Sequence, residues 1–173
     1  MGEVIPVDHE AIAARLTERW GEALRMTPAA DGMVTLRWLE PARLIEFVQW
    51  LRTREGLGIR LLSDITAADY LDREPRFEVV YHFTAFEPLL RLRVCLPLAE
   101  DEAAPSLCGE WQGANFSERE VFDMFGIPFT DHPNLERLLL PEWYEGYPLR
   151  RDHPLGDIPI EFDLPYRKQF GHA

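Results

Sequence analysis

Arg76-Phe77-Glu78-Val79-Val80-Tyr81-His82-Phe83, followed after a short interval by Leu89-Leu90-Arg91-Leu92-Arg93-Val94-Cys95-Leu96, is the stretch on which the fold turns. Phe77, Val79, Tyr81 and Phe83 alternate with Glu78, Val80 and His82, and Leu90, Leu92, Val94 and Leu96 alternate with Arg91, Arg93 and Cys95. Such alternation marks strands with one buried face. The connection around Glu87 and Pro88 is short, so the two runs are expected to form an antiparallel hairpin. A hairpin with one apolar face is marginal alone and needs further strands and a covering layer.

The flanking sequence supplies both. Ile59 to Thr66, after Gly56 and Gly58, and Met33 to Trp38 read as further strands. Asp8 can cap a first helix running to about Leu24, with Ile12, Leu16, Trp20 and Leu24 on one face. Pro41 opens a second helix through about Arg54, whose stripe is Leu44, Ile45, Val48 and Leu51. Helices and adjacent strands in this order predict an α+β fold: a small, mostly antiparallel sheet with helices packed on one face, followed by a long irregular proline-rich extension. Residues 1–126 are expected to form the α+β domain, and residues 127–173 an extended partner-binding segment continuous with it.

Composition narrows the function classes. The chain has 173 residues, 46% hydrophobic and 28% charged, which is ordinary globular composition. Eighteen basic residues against thirty acidic ones give a net charge of −12, which argues against nucleic acid or anionic lipid as the main partner. No window reads as a membrane span, and Met1 to Glu10 lacks the features of a secretory signal. Cys95 and Cys108 are the two cysteines, without zinc or iron–sulfur spacing, so no metal site is expected. Gly56-Leu57-Gly58 lacks the third glycine of a dinucleotide fingerprint and precedes a strand, and neither a P-loop nor a G-x-S-x-G nucleophile is present.

Charge concentrates in one place. Between Glu100 and Asp131 lie eight acids and one base, Arg119. Pro105 is expected to open a short helix to about Gly113. A second helix, Glu118 to Phe125, is signalled by a Ser117/Glu120 capping box, a Phe116/Val121 staple and the stop Gly126 before Pro128. On that helix Arg119 and Asp123 have the spacing of an i,i+4 ion pair. Beyond it, seven of the chain's 14 prolines fall between Gly126 and Pro165, together with Leu139, Trp143, Tyr144 and Tyr147. So much apolar and aromatic material belongs on a surface, its own or a partner's. A carboxylate of the acidic helix with His132 could act as an acid–base pair. Helix capping explains the acids better, and His132-Pro133 and Asp152-His153-Pro154 read as turns.

The run Glu118-Arg119-Glu120-Val121-Phe122-Asp123-Met124-Phe125-Gly126-Ile127, then His132-Pro133-Asn134-Leu135 and Leu138-Leu139, resembles the signature of the 30 kDa subunit family of respiratory complex I, the bacterial NADH-quinone oxidoreductase. Gly146-Tyr147-Pro148-Leu149-Arg150-Arg151-Asp152-His153-Pro154-Leu155 is similar to that family's second block. Glu136 departs from the pattern, which usually has a basic residue or proline there; Arg137 follows immediately.

The resemblance implies a polypeptide that binds no flavin, iron–sulfur cluster or nicotinamide. NADH, FMN, iron–sulfur clusters and quinone would belong to the rest of the complex. It implies a place in the peripheral arm against the 49 kDa-type subunit, near the quinone site, on the cytoplasmic side of a bacterial inner membrane, touching the membrane only through the complex. Glu118, Arg119, Glu120, Asp123, Gly126, His132, Pro133, Arg137, Trp143, Tyr144, Tyr147, Pro148, Arg150, Arg151, Asp152 and Pro154 are carried as signature or interface positions, none of them catalytic, cofactor-binding or metal-binding. The alternatives are the equivalent component of a membrane-bound nickel–iron hydrogenase or F420H2 dehydrogenase and, in a different class, a free-standing soluble acid–base enzyme.

Overall fold

The computed structural model describes residues 8–27 and 32–154. The two alternating runs form the antiparallel hairpin at the centre of the sheet: β4, Phe77–Phe86, pairs with β5, Leu89–Leu98, with Phe86 opposite Leu89 at the turn and Phe77 opposite Leu98 at the far end. β3, Leu61–Asp69, adds antiparallel to β4. β2, Val34–Trp38, lies parallel to the other side of β5, and β1, Leu24–Thr27, pairs antiparallel with β2. The order is β1-β2-β5-β4-β3, and among the described residues β2–β5 is the one parallel pairing in this five-stranded sheet.

One face of the sheet is the core. Phe77, Val79, Tyr81, Phe83 and Ala85 of β4 and Leu90, Leu92, Val94, Leu96 and Leu98 of β5 are buried, whereas Glu78, Val80, His82, Arg93 and Cys95 on the opposite face are half-buried. The inward residues share one cluster with the buried stripes of α1, His9–Trp20, α2, Leu44–Arg52, and α3, Ala114–Phe125. Trp38 stacks on Phe47 at 4.2 Å between ring centroids, and Trp20 meets both edge-on, which joins β2, α2 and α1 at one corner. Each large apolar side chain fully buried here contributes about 1.5–3 kcal/mol. The sheet and its one-sided helical layer are those expected from the alternation.

Local boundaries differ in instructive ways. The first helix stops at Trp20; Leu24 opens β1 opposite Trp38, so a residue with helical spacing reaches the same core from a strand. Pro41–Arg43 forms a 3-10 turn before α2, and that helix ends at Arg52 because Thr53 turns extended and its hydroxyl donates to the Trp50 carbonyl at 2.7 Å. The expected helix from Pro105 does not form. Ala104–Pro105 is a short strand, β6, parallel to β7, Phe129–Thr130, and pairing with β7 takes the backbone groups a helix would have used. The Ser117/Glu120 capping box is also absent: α3 begins earlier, at Ala114 after Gly113, so Ser117 is inside it. Phe116 is exposed and makes no staple. The helix does stop at Gly126, in the left-handed conformation at φ 73°.

Candidate functional site

Helix α3 and the segment after it form the candidate site. The helix presents two acids inward, Glu118 and Asp123, both fully buried. A buried carboxylate needs several donors, and each of these acids collects them from a different loop.

Glu118 holds the segment before the helix. Its Oε1 accepts the Leu107 backbone N–H at 2.6 Å and its Oε2 accepts the Ser106 hydroxyl at 2.7 Å. Cys108 Sγ and His132 Nε2 stand 3.5 Å and 3.9 Å from Oε2. Burial pushes the Glu118 carboxyl above its ordinary range, against the opposing hydrogen bonds of Ser106 and Leu107.

Cys108, Glu118 and His132 bring a thiol, a carboxylate and a ring nitrogen within 4.8 Å of one another, a spacing a metal ion could use. The protons argue otherwise. His132 Nδ1 accepts the Asn134 N–H at 3.0 Å, so the ring proton sits on Nε2, which faces the Asn115 carbonyl at 3.3 Å and is not free to ligate. Burial raises the Cys108 thiol pKa. As arranged, the trio is a hydrogen-bonded brace between α3 and the loops on either side of it.

Asp123 holds the segment after the helix. Its Oδ2 accepts three consecutive backbone N–H groups, from Leu138, Leu139 and Leu140, at 2.7–3.0 Å, and its Oδ1 accepts Arg137 Nη1 at 2.8 Å. Burial alone would raise its pKa, but those N–H donors and the Arg137 guanidinium together hold it below the ordinary range. Arg137 also donates to the carbonyls of Tyr144 and Gly146. Arg119 does not pair with Asp123. Its guanidinium donates to the carbonyls of Glu136 and Arg137 at 3.0 Å, so the two side chains grip opposite edges of the same loop. Glu120 is exposed and its side chain makes no hydrogen bond among the described residues.

The second block folds back on the end of α3. The Leu149 N–H donates to the Met124 carbonyl, and Arg150 Nε donates to the Phe125 carbonyl at 2.6 Å. Arg150 lies over the Tyr147 and Phe77 rings at 4.7 Å and 5.1 Å. Tyr147 covers Gly126, and the Tyr144 hydroxyl meets His153 Nε2 at 3.0 Å. Pro148 is half-buried, and Pro133 and Pro154 are exposed in the turns that follow His132 and His153.

A third junction had no signal in the sequence. Arg76, just before β4, makes a two-pronged bond to Asp69 at the end of β3, at 2.8 Å and 2.9 Å. It also reaches Glu100 at 3.0 Å and Asp152 at 2.9 Å. The Arg151 N–H adds a bond to Asp69 from 82 residues away, and Arg150 shares Glu100. The Arg76 guanidinium holds Asp69 below the ordinary carboxylate range, and Asp69 in turn raises the Arg76 pKa. Asp69, Arg76, Glu100, Ser106 and Cys108 are the working residues that sequence reasoning missed. Single charges in strand ends and loops carry no pattern.

Outward on this segment, among exposed charged residues such as Glu136, Glu142 and Glu145, stand three large apolar side chains. Leu139, Trp143 and Leu149 are 62%, 54% and 54% exposed, on backbone that Asp123, Arg137 and Arg150 pin from beneath. Residues 155–173, including Leu155 of the second block and the rest of the expected extension, lie outside the described residues.

Several known proteins are similar to this chain. The C subunit of NADH-quinone oxidoreductase from Roseiflexus sp. (strain RS-1) is 41% identical over 169 residues, 96% of this chain and 95% of the relative. The same component from Herpetosiphon aurantiacus is 44% identical over 125 residues, 72% of this chain and 73% of that one. A chain in the structure of the membrane-bound sulfane sulfur reductase, an archaeal respiratory membrane complex, shares the fold with a TM-score of 0.71 at 23% identity, covering 94% of this chain and 91% of its own. Residues 37–159 match the family described as respiratory-chain NADH dehydrogenase, 30 Kd subunit. With the signature acids, the brace loop and the second block all inside that match, the chain belongs to the 30 kDa subunit family of complex I.

Proposed function

We propose that this chain is an assembly subunit of the peripheral arm of a proton-translocating NADH-quinone oxidoreductase, docking a 49 kDa-type subunit near the quinone site. In this reading it binds no cofactor itself, and electrons from NADH reach quinone through its neighbours. One observation carries it. The buried signature acids spend their oxygens on internal donors, and the segment that Asp123 stiffens offers Leu139, Trp143 and Leu149 to solvent. A stiff loop presenting exposed aromatic and leucine side chains is a docking element, because its ordering entropy is lost during folding instead of at binding.

The acid–base enzyme reading fits less well, since the Glu118 and His132 side chains are both 0% exposed and a substrate could reach neither without opening the brace. No helix among the described residues is long and apolar enough to cross a membrane, which suits a chain held at the cytoplasmic face through its partners. Pull-down of the tagged chain from native membranes, read by mass spectrometry, tests the proposal. Recovery of a 49 kDa-type subunit with NADH-quinone oxidoreductase neighbours is expected. Recovery of a hydrogenase or F420H2-dehydrogenase large subunit would reassign the complex, and a solitary chain that turns over a metabolite unaided would overturn the proposal.

A further inference from the structure

The other end of the sheet carries a surface that the signature segment does not use. At the β4–β5 turn, Phe86 and Leu89 face each other and are 57% and 56% exposed. Beside them a cleft of about 520 Å³ opens between α1, the loop after α2 and the turn, lined by Arg15, Arg54, Arg60, Phe86, Pro88 and Leu90 among others. Three arginines meet one acid, Glu87, on these walls, in a chain whose net charge is −12.

Arg15 is committed. Its Nη2 donates to the carbonyls of Glu55 and Gly56, which ties α1 to the loop and fixes one positive charge at the cleft. Arg54 and Arg60 are exposed, and their side chains make no hydrogen bond or ion pair among the described residues. Here two open guanidinium groups stand next to an exposed phenylalanine on one cleft wall. Guanidinium forks match carboxylates bidentately, and Arg and aromatic residues are both enriched at protein interfaces. The ten-residue β4 strand places this cleft roughly 30 Å from the Arg76 junction.

We propose that the cleft receives an acidic segment of a neighbouring protein subunit, whose Asp or Glu carboxylates pair with Arg54 and Arg60 while an apolar side chain packs on Phe86. This rests on the reading that the chain works inside an assembly, and it adds a second contact at the opposite end of the sheet, so that the chain bridges two surfaces.

The test uses the tagged full chain in its intact complex, with a photo-crosslinking phenylalanine analogue at position 86. The expected result is a cross-link mapped by mass spectrometry to an Asp/Glu-containing segment of another subunit. Its yield should fall roughly tenfold in the R54E/R60E double variant and be unchanged in R91E, an exposed arginine outside the cleft. Because the side chains of Arg54 and Arg60 make no hydrogen bond or ion pair within the described fold, the double variant should melt like the parent. A cross-link to a second copy of this chain, to lipid, or to a segment without acids would overturn the proposal, as would no cross-link or a yield undiminished in R54E/R60E. If that happens while the large subunit still co-purifies, the cleft assignment falls and the assembly reading stands. A chain that co-purifies with nothing sinks both.

Discussion

The ring of Tyr147 lies against Gly126 so closely that a Cβ at position 126 would sit 2.5 Å from the tyrosine Cε2. Gly126 is also left-handed at φ 73°, so a side chain there meets both backbone strain and the ring. Gly126→Ala is therefore expected to cost about 2–3 kcal/mol, read as a lowered denaturation midpoint. In a Tyr147→Ala background the same substitution should cost less than in the parent, because the clash is gone and only the strain remains. If Gly126→Ala costs as much in that background as in the parent, the contact with Tyr147 is not what excludes the side chain.

Asp123 organises the loop after α3 through three backbone N–H groups and Arg137. Asp123→Ala strands all four donors in partly buried surroundings, and the expected loss is about 3–5 kcal/mol. Limited proteolysis should then cut first between Arg137 and Tyr147. Cleavage elsewhere, with this loop still protected, would count against Asp123 as its anchor.

Arg76 reaches Asp69, Glu100 and Asp152 at once because a planar guanidinium has several donors in a fixed fork. Lysine keeps the charge and loses the fork. Arg76→Lys should cost about 1–2 kcal/mol and Arg76→Ala about 3–5 kcal/mol in denaturant unfolding. Equal losses for the two would mean that charge alone matters at this junction.

The buried acids pull the pH dependence in opposite directions. Asp69 and Asp123 are held below the ordinary carboxylate range, so their contribution is complete above about pH 4 and is lost as pH falls through that value toward their folded ones. Glu118 is raised, so the folded chain keeps a proton that the unfolded chain has released. Its effect favours folding at low pH and fades as pH rises through the folded value. Thermal melts across pH should show Glu118→Gln flattening the decline above about pH 4.5 and leaving the slope below it unchanged, where the carboxyl is protonated in both states. An unaltered profile in Glu118→Gln would contradict a raised carboxyl at this position.

Leu139 and Trp143 are exposed, whereas Tyr147 is part of the fold. The Leu139→Asp/Trp143→Ala double variant should leave the stability within about 1 kcal/mol of the parent and lower recovery of the large subunit in pull-downs at least several-fold. Tyr147→Ala should instead destabilise the chain itself. Full recovery of the complex with the double variant would remove this face from the docking surface.

The alternation in β4 and β5 was enough to establish the hairpin, its inward face and the α+β class, because the pleat alone sends successive side chains to opposite sides. The helical stop at Gly126 was equally legible, since a left-handed residue favours glycine. Local pattern failed where a backbone group had a distant competitor. Pro105 looked like a helix start, but β7 offered a strand to pair with; Glu118, read as a helix N-terminal acid, and Asp123, read as the partner of Arg119, turn inward to donors more than ten residues away. Arg119 has an acid four residues on and takes two carbonyls of the next loop instead. Sequence determines what each segment can bury. Which donor meets which carboxylate is decided only when the core brings loops together, because a hydrogen bond is specified by where its two atoms lie in space and not by how far apart they lie along the chain.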